Sequence, residues 1–543
     1  MLSSKNKLYI IFIPLLALLT LLQGCFPAAI PEAPVRPVVS EEPPEETFAP
    51  DDTYENETST GQRGRFTLRY DPEGSLNPIT GMNSNNILLC SLLYESLFTL
   101  DGNLGLEPQL CANWTHEGYA IYEIEILPGI AMNDGSTLTA DDVAYTLSQA
   151  AIRGRYVNRL KNIDKITTDG DLVVSIKLKT ANRRFLYLLD IPIIKYGSID
   201  AAIPPGTGPY VLTGSEVVRL QRAISYRDYD DLPLTVIYLR ECGDDEEAEL
   251  FEDGAISLLW DDPSGTYDKR LNRTRESRYY DTTALQFIGF NTRSVALKEP
   301  DVRRAIGCAI DREYITTVIM PGQSLKSSLA LSPAYEYYDP QWAAPAQDIQ
   351  VEMSALLDRA GLQDFDNDSY LEYPDGLGGF FKFTLDFIVN NENAYKVRAA
   401  HLIAESMRQT GLDVKVRELT WDNFTNALNS GNFDMYYGET AVSADFDLSA
   451  LVLPEGNLNY GKTGNPDFKQ YIADFLAAET PDDECLAAKR LCDKILWDAP
   501  FVPILYKRYA VYSPLGAISG AAPSQSGVFR NINEWSIDAS MLR

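Results

Sequence analysis

The stretch Phe380–Glu439, FFKFTLDFIVNNENAYKVRAAHLIAESMRQTGLDVKVRELTWDNFTNALNSGNFDMYYGE, carries the most regular pattern in the chain. Strand-like FFKFTLDFIV and LDVKVREL alternate with helical NAYKVRAAHLIAESMRQTG and WDNFTNALNSG, and the run closes on the strand FDMYYGE. Gly411 and Gly431 each stand where a glycine would end a helix. Parallel strands need long crossovers, and helices supply them, so a β-α-β-α-β series predicts a mostly parallel sheet covered by helices. The expected fold class is therefore α/β.

Working outward, helices over Asp467–Ala478 and Pro481–Trp497 lead to the strand FVPILYKRYAVY. On the other side, Pro300 takes a first helical position ahead of DVRRAIGCAIDREYITTVI, where Val302, Ala305, Ile306, Ala309 and Ile310 form one apolar stripe. Nearer the N-terminus come a strand in Arg65–Tyr70 (RFTLRY), a helix near Asn85–Leu97 and strand-rich sequence to Leu127. In STLTADDVAYTLSQA, Thr139 is an N-cap candidate and Asp141 and Asp142 fall in the first turn, where the helix dipole favours carboxylates. The glycines of PPGTGPYVL (Pro204–Leu212) could suggest a phosphate-binding loop. That chemistry needs Lys-Ser/Thr after the last glycine, but Pro209 and Tyr210 stand there, and YVLTG reads as a strand. The segment is read as a tight structural turn.

The length of 543 residues allows three or four domain-sized units. With 47 basic and 77 acidic residues, a net charge of −30, the surface field repels phosphate backbones and anionic lipid, which argues against nucleic-acid partners. Lys5 and Lys7 precede an apolar run, Leu8–Leu22, that is shorter than the roughly 20 residues a membrane span requires and suits an export signal. The run ends in LLQGC, which resembles the bacterial lipoprotein box and implies diacylglycerol on Cys25. Residues 26–64 are rich in Pro, Glu, Asp and Thr without apolar period, the composition of a disordered tether. Six other cysteines (90, 111, 242, 308, 485, 492) include no CxxC pair, so a zinc ribbon or thioredoxin-like site is unsupported, and their pairing stays open.

Several stretches then align with one family. SLNPIT (Ser75–Thr80), LLYESLFTLDGNLGLEPQLCANW (Leu92–Trp114), LPGIAMNDGSTLTADDVAYTL (Leu127–Leu147), GTGPY (Gly206–Tyr210), FNTRSVALKEPDVRRAIGCAIDREYI (Phe290–Ile315), LLDRAGLQDFDNDSYLE (Leu356–Glu372), GNFDMYYG (Gly431–Gly438) and KILWDAPFVPIL (Lys494–Leu505) resemble, in order and spacing, bacterial extracellular solute-binding proteins of the oligopeptide/dipeptide class. The resemblance implies a two-lobed periplasmic-binding-protein-like (class II) fold with an additional small α+β domain. It divides the chain into a signal peptide (1–24), acylated Cys25 and tether (25–64), lobe I (65–95), the small domain (96–205), lobe I again (206–285), lobe II (286–505) and a C-terminal return to lobe I (506–543).

It further implies a monomeric, lipid-anchored protein on the outer face of the cytoplasmic membrane, without catalysis or cofactor, that hands a peptide from an interlobe cleft to an ABC permease. An oligosaccharide, a modified amino compound or a metal chelate is the alternative ligand, and a cell-surface hydrolase the alternative class. In peptide-binding relatives an Asp of the second lobe pairs with the ligand's α-ammonium. Asp445 in ETAVSADFDLSALV is the best match and Asp447 the second, with Ser443 beside them. The family's Gly-Trp pair is replaced near Glu439 and Thr440. Gly81, Met82 and Asn83, after the LNP turn, match positions where relatives touch ligand. No basic residue lies within ETAVSADFDLSALV to hold a ligand carboxylate, which disfavours small acidic peptides.

Enzymatic readings find little support. His116 and His401 are the two histidines, neither in an HExxH nor beside a nucleophile motif, and His401 is expected to be partly packed in its helix. No resident metal is expected; the weak candidate is DFDNDSYLEYPD, whose Asp364, Asp366 and Asp368 follow a calcium-loop spacing, with Ser369 in place of the sixth-position Gly and Asp375 at the twelfth.

Overall fold

The computed structural model describes residues 64–542, except 215–216, 244–245, 266–270, 344–348 and 376. The signal segment, Cys25 and the tether through residue 63 lie outside the described residues. No helix among the described residues is long and apolar enough to cross a membrane.

Three sheets organise the chain. The first has four strands in the order Thr67–Tyr70, Val236–Glu241, Arg219–Arg222, Tyr210–Thr213, with the opening pair parallel. The second is an antiparallel four-stranded sheet made of Cys111–Glu117, Ile121–Ile126, Val173–Leu178 and Ile163–Asp169, against which the helix Ala140–Ala150 packs. The third has seven strands: Leu259–Asp261, Phe501–Pro514, Arg275–Phe290, Met435–Ala441, Leu385–Asn390 and Val414–Leu419 in order, with Ser324–Lys326 pairing to Phe501–Pro514.

The β-α-β-α-β run folds as its periodicity dictates. Leu385–Asn390 pairs in parallel with both Val414–Leu419 and Met435–Ala441, and Ala394–Arg408 and Trp421–Ser430 are the crossovers. Alternating side chains reach opposite faces of a strand. Phe387 and Val389 join a core with Phe290, Ile403, Met407, Met435 and Ile504, while Ile388 joins another with Phe287, Phe424 and Tyr436. The sheet is thus buried on both faces, and each such fully buried side chain is worth about 2 kcal/mol. The rest of the sheet is antiparallel, because Arg275–Phe290 runs against both of its neighbours, Phe501–Pro514 and Met435–Ala441. These two long strands hold the positions where the resemblance would divide lobe I from lobe II: Gln286 pairs with Leu505 and Leu285 with Tyr506. The pairing is irregular there, between Asp281 and Leu285 and again between Gln286 and Phe287, and such breaks bend a strand.

Some elements differ from expectation. FFKFTLDFIV is not one strand: Phe380–Phe381 turns back on Tyr373–Pro374 in a two-stranded hairpin, and the sheet strand begins at Leu385. The two phenylalanines are half-exposed and stack on Phe365 and Tyr373, contacts available only in the hairpin. The first helix stops at Leu93 rather than Leu97, and Tyr94 is extended. The cause lies in GTGPY. Gly208 donates its N–H to the Leu93 carbonyl, and a Cβ on it would sit 2.2 Å from the Leu93 carbonyl carbon. The glycine therefore serves close approach of two chains, not an unusual turn angle.

Candidate functional site

Met435–Ala441 leaves the seven-stranded sheet toward Ser443-Ala444-Asp445-Phe446-Asp447. Val442 N–H still bonds to the Thr283 carbonyl (2.9 Å), and the chain then turns tightly, with Phe446 in the left-handed region (φ 57°) and its N–H donating to the Ser443 carbonyl (2.8 Å). That turn aims the Asp445 carboxylate inward, where it is 4% exposed. Oδ1 accepts from Ser443 Oγ (2.5 Å) and Asp447 N–H (3.2 Å), and Oδ2 accepts from Asn182 Nδ2 (2.8 Å). Asn182 is itself fixed: its N–H donates to the Tyr119 carbonyl, its Oδ1 accepts from Arg184 N–H (2.9 Å), and its carbonyl accepts from the Tyr122 hydroxyl (2.6 Å).

Burial raises the Asp445 pKa, the nearby Asp447 charge raises it further, and the hydrogen bonds from Ser443 and Asn182 oppose the rise without cancelling it. The Asp445 carboxylate thus has neutral hydrogen-bond donors, and among the described residues no ion pair is made by it. Asp447 lies 3.4 Å from Lys161 Nζ. Arg159, on the same segment as Lys161, ion-pairs with Asp190; its burial lowers its pKa to about 10, and Tyr156 and Asp445 act against that fall. Basic groups therefore do reach this turn, but from residues far away in sequence.

A second polar cluster lies at the inner end of the same strand. Lys507, 1% exposed in its side chain, ion-pairs with Asp262 and with Glu439 (3.2 Å). Glu439 also meets Lys396 Nζ (3.0 Å) and accepts from Gln286 Nε2 (2.8 Å). Burial would raise the Glu439 pKa, but Lys507 and Lys396 hold it down at about 2. Asn393, three residues before Lys396, donates from Nδ2 to the carbonyl of Ser264, two residues after Asp262 (2.8 Å). Glu439 stands near the place of the missing Gly-Trp pair, so a charged network occupies what the resemblance would fill with an aromatic ring.

A latch borders the Asp445 turn. Glu484, on the helix Pro481–Asp498, is paired with Arg183 (2.9 Å) and Arg184 (3.1 Å) and accepts from the Tyr335 hydroxyl (3.0 Å). Arg184 also lies over the Tyr187, Tyr335 and Phe446 rings.

The structure brings Ser443, Asp445 and Asp447 together. Among the described residues, no hydrogen bond, ion pair or ring contact joins them to Gly81, Met82 or Asn83. Met82 is 75% exposed, Gly81 N–H bonds to the Asn77 carbonyl, and Asn83 caps the helix Ser84–Leu93. A cavity of about 440 Å³ lies at Tyr94, Arg155, Arg159, Arg227 and Arg530, and it includes none of those six residues. Of the two histidines, His116 stacks on Tyr119 and His401 is exposed rather than partly packed, paired with Glu418 (2.8 Å). Cys90, Cys111, Cys308, Cys485 and Cys492 are free thiols. Asn182, Lys161, Lys396, Lys507 and Glu484 escaped sequence reasoning because each meets its partner across long stretches of chain.

Comparison with known proteins identifies the class. Residues 105–457 match the model for bacterial extracellular solute-binding proteins, family 5 Middle, and the chain belongs to that family. It is accordingly a two-lobed substrate-binding protein of the kind that serves ABC importers, in a family that works outside the cytoplasm. The oligopeptide-binding protein AppA of Bacillus subtilis (strain 168) is 24% identical over 452 residues, 77% of this chain and 81% of that protein. The glutathione-binding protein GsiB of Escherichia coli (strain K12) is 23% identical over 467 residues, 80% and 87% of the two chains. The structure of NikZ from Campylobacter jejuni in complex with Ni(L-His) superposes with a TM-score of 0.65 at 17% identity, covering 87% of this chain and 99% of that one.

Proposed function

We propose that this protein, anchored through an acylated Cys25, captures peptides and delivers them to an ABC permease, with Asp445 receiving the peptide's α-ammonium. The observation that carries this reading is the Asp445 carboxylate, buried, supplied with neutral donors and making no ion pair among the described residues. A ligand ammonium would supply an ion-pair partner and take the place of the Asn182 amide on Oδ2. Ser443 and Asp447 hold and flank that carboxylate, and Gly81, Met82 and Asn83 contribute an opposing rim when the lobes close. Backbone pairing of an extended peptide would leave side-chain preference loose. Lys161, beside Asp447, is a cation from outside that segment which a ligand carboxylate could meet on entering the cleft.

The test is thermal unfolding of the chain with pooled peptides of two to eight residues, alongside the Asp445→Asn variant. Saturation at 100 times Kd adds about 2.7 kcal/mol. The variant keeps one acceptor oxygen but sets its amide N–H against one of the donors that Asp445 now accepts from, so its own peptide-free unfolding is the baseline against which its peptide shift is read. The expected result is a peptide-induced rise in the parent that the variant loses. A rise only with sugars or metal chelates would overturn the peptide reading.

A further inference from the structure

Away from the Asp445 turn, the loop between the helix Ile349–Arg359 and the hairpin strand Tyr373–Pro374 gathers four carboxylates. Asp364, Asp366, Asp368 and Glu372 each present an oxygen, and all four oxygens lie within 4.8 Å of one another. That is about twice a calcium–oxygen bond, so the four can surround one ion. Three of these residues are exposed, and acidic surface loops are common. Glu372 is the independent observation: it is fully buried, its Oε2 accepts from Phe365 N–H (2.9 Å), and its Oε1 has no hydrogen-bond partner. An orphaned buried carboxylate oxygen aimed into a ring of carboxylates calls for a cation.

Lys382 supplies part of that charge, 2.7 Å from Asp366 and paired with Asp368, but its ammonium stays 3.8 Å from Glu372 Oε1 and its side chain is half-exposed. The ring differs from the linear twelve-residue pattern. Asp375, at the twelfth position, is turned away to accept from Leu377 and Gly379 N–H (2.7 and 2.8 Å), and Glu372, at the ninth, takes the inward place. Ser369 adopts φ 76°, the conformation for which a glycine is used at the sixth position.

We propose that Asp364, Asp366, Asp368 and Glu372 form a calcium site, with Lys382 a tethered cation that the metal displaces. Four carboxylate oxygens without imidazole or thiolate select a hard ion, and calcium tolerates irregular coordination where magnesium demands stricter octahedral geometry. The ion would pin this loop, whose Leu371 N–H bonds to the Gly411 carbonyl (2.8 Å), to the end of the helix Ala394–Arg408.

The experiment is calorimetric titration of the full chain with calcium chloride and with magnesium chloride, paired with thermal unfolding in each salt. One calcium per chain is expected, with a Kd of about 1 mM or tighter, as in extracellular modules, and at least tenfold weaker magnesium binding. Asp366→Asn should weaken calcium at least tenfold, and Lys382→Met should tighten it several-fold. Absence of calcium heat and of any shift in unfolding for the parent overturns the proposal. So does binding seen only in Lys382→Met, which would make lysine the resident cation, or binding indifferent to Asp366→Asn, which would put the ion elsewhere.

Discussion

Lys507 shows how much one side chain can commit a fold. Its ammonium is buried between Asp262 and Glu439, and removing it leaves two acids without their shared cation. Breaking a buried ion pair costs about 3–5 kcal/mol, so Lys507→Met should lower the unfolding free energy from urea titration at neutral pH by that amount. The acid limb gives a second readout. The folded pKa of Glu439 is depressed to about 2, against an ordinary value of 4.5. Its contribution is therefore complete above about pH 4.5 and is lost as pH falls toward 2. Lys507→Met should move this loss to higher pH, since Lys396 is then left to depress Glu439 alone. Asp445 works in the opposite sense: its raised pKa favours the folded state in acid and costs stability as pH climbs through the folded value. None of this was legible in the sequence. Lys507 reads as one polar residue in a strand, and Asn182 lies 263 residues from the carboxylate it serves.

At the scale of elements the sequence was far more informative. Helix and strand periods between Phe380 and Glu439 placed every crossover, because the apolar stripes are long and local. Within that run FFKFTLDFIV misled, because its two leading phenylalanines pack on aromatic neighbours outside the strand, as did the end of the first helix outside it. The two glycines discriminate between turn chemistry and crowding. Gly431 ends the helix Trp421–Ser430 at φ 70°, with open space where a Cβ would go. Gly431→Ala should therefore cost only the left-handed penalty, about 1 kcal/mol. At Gly208 a Cβ meets the Leu93–Tyr94 backbone itself. Gly208→Ala should cost about 3 kcal/mol, an overpacking effect, and the two urea midpoints should separate accordingly.

At the scale of the whole molecule, the family resemblance in scattered motifs carried the two-lobed architecture, whereas the contacts that close one part on another could only be seen in three dimensions. The Glu484 latch is the clearest. Glu484→Gln should leave Arg183 and Arg184 without their buried carboxylate, so amide hydrogen exchange is expected to quicken around residues 182–187 and 480–488, while Leu385–Asn390 stays protected. Uniform quickening across the sheet would instead mean that the latch supports global stability. The seven-stranded sheet also has a consequence for how such a chain is made. Phe501–Pro514 is flanked in the sheet by Leu259–Asp261 and Arg275–Phe290 and also receives Ser324–Lys326, so three pairings wait for a strand near the end of the chain. A polypeptide made from its N-terminus cannot complete this sheet early. The sheet closes only when residues 501–514 have left the ribosome, so the strands that precede them wait with open edges.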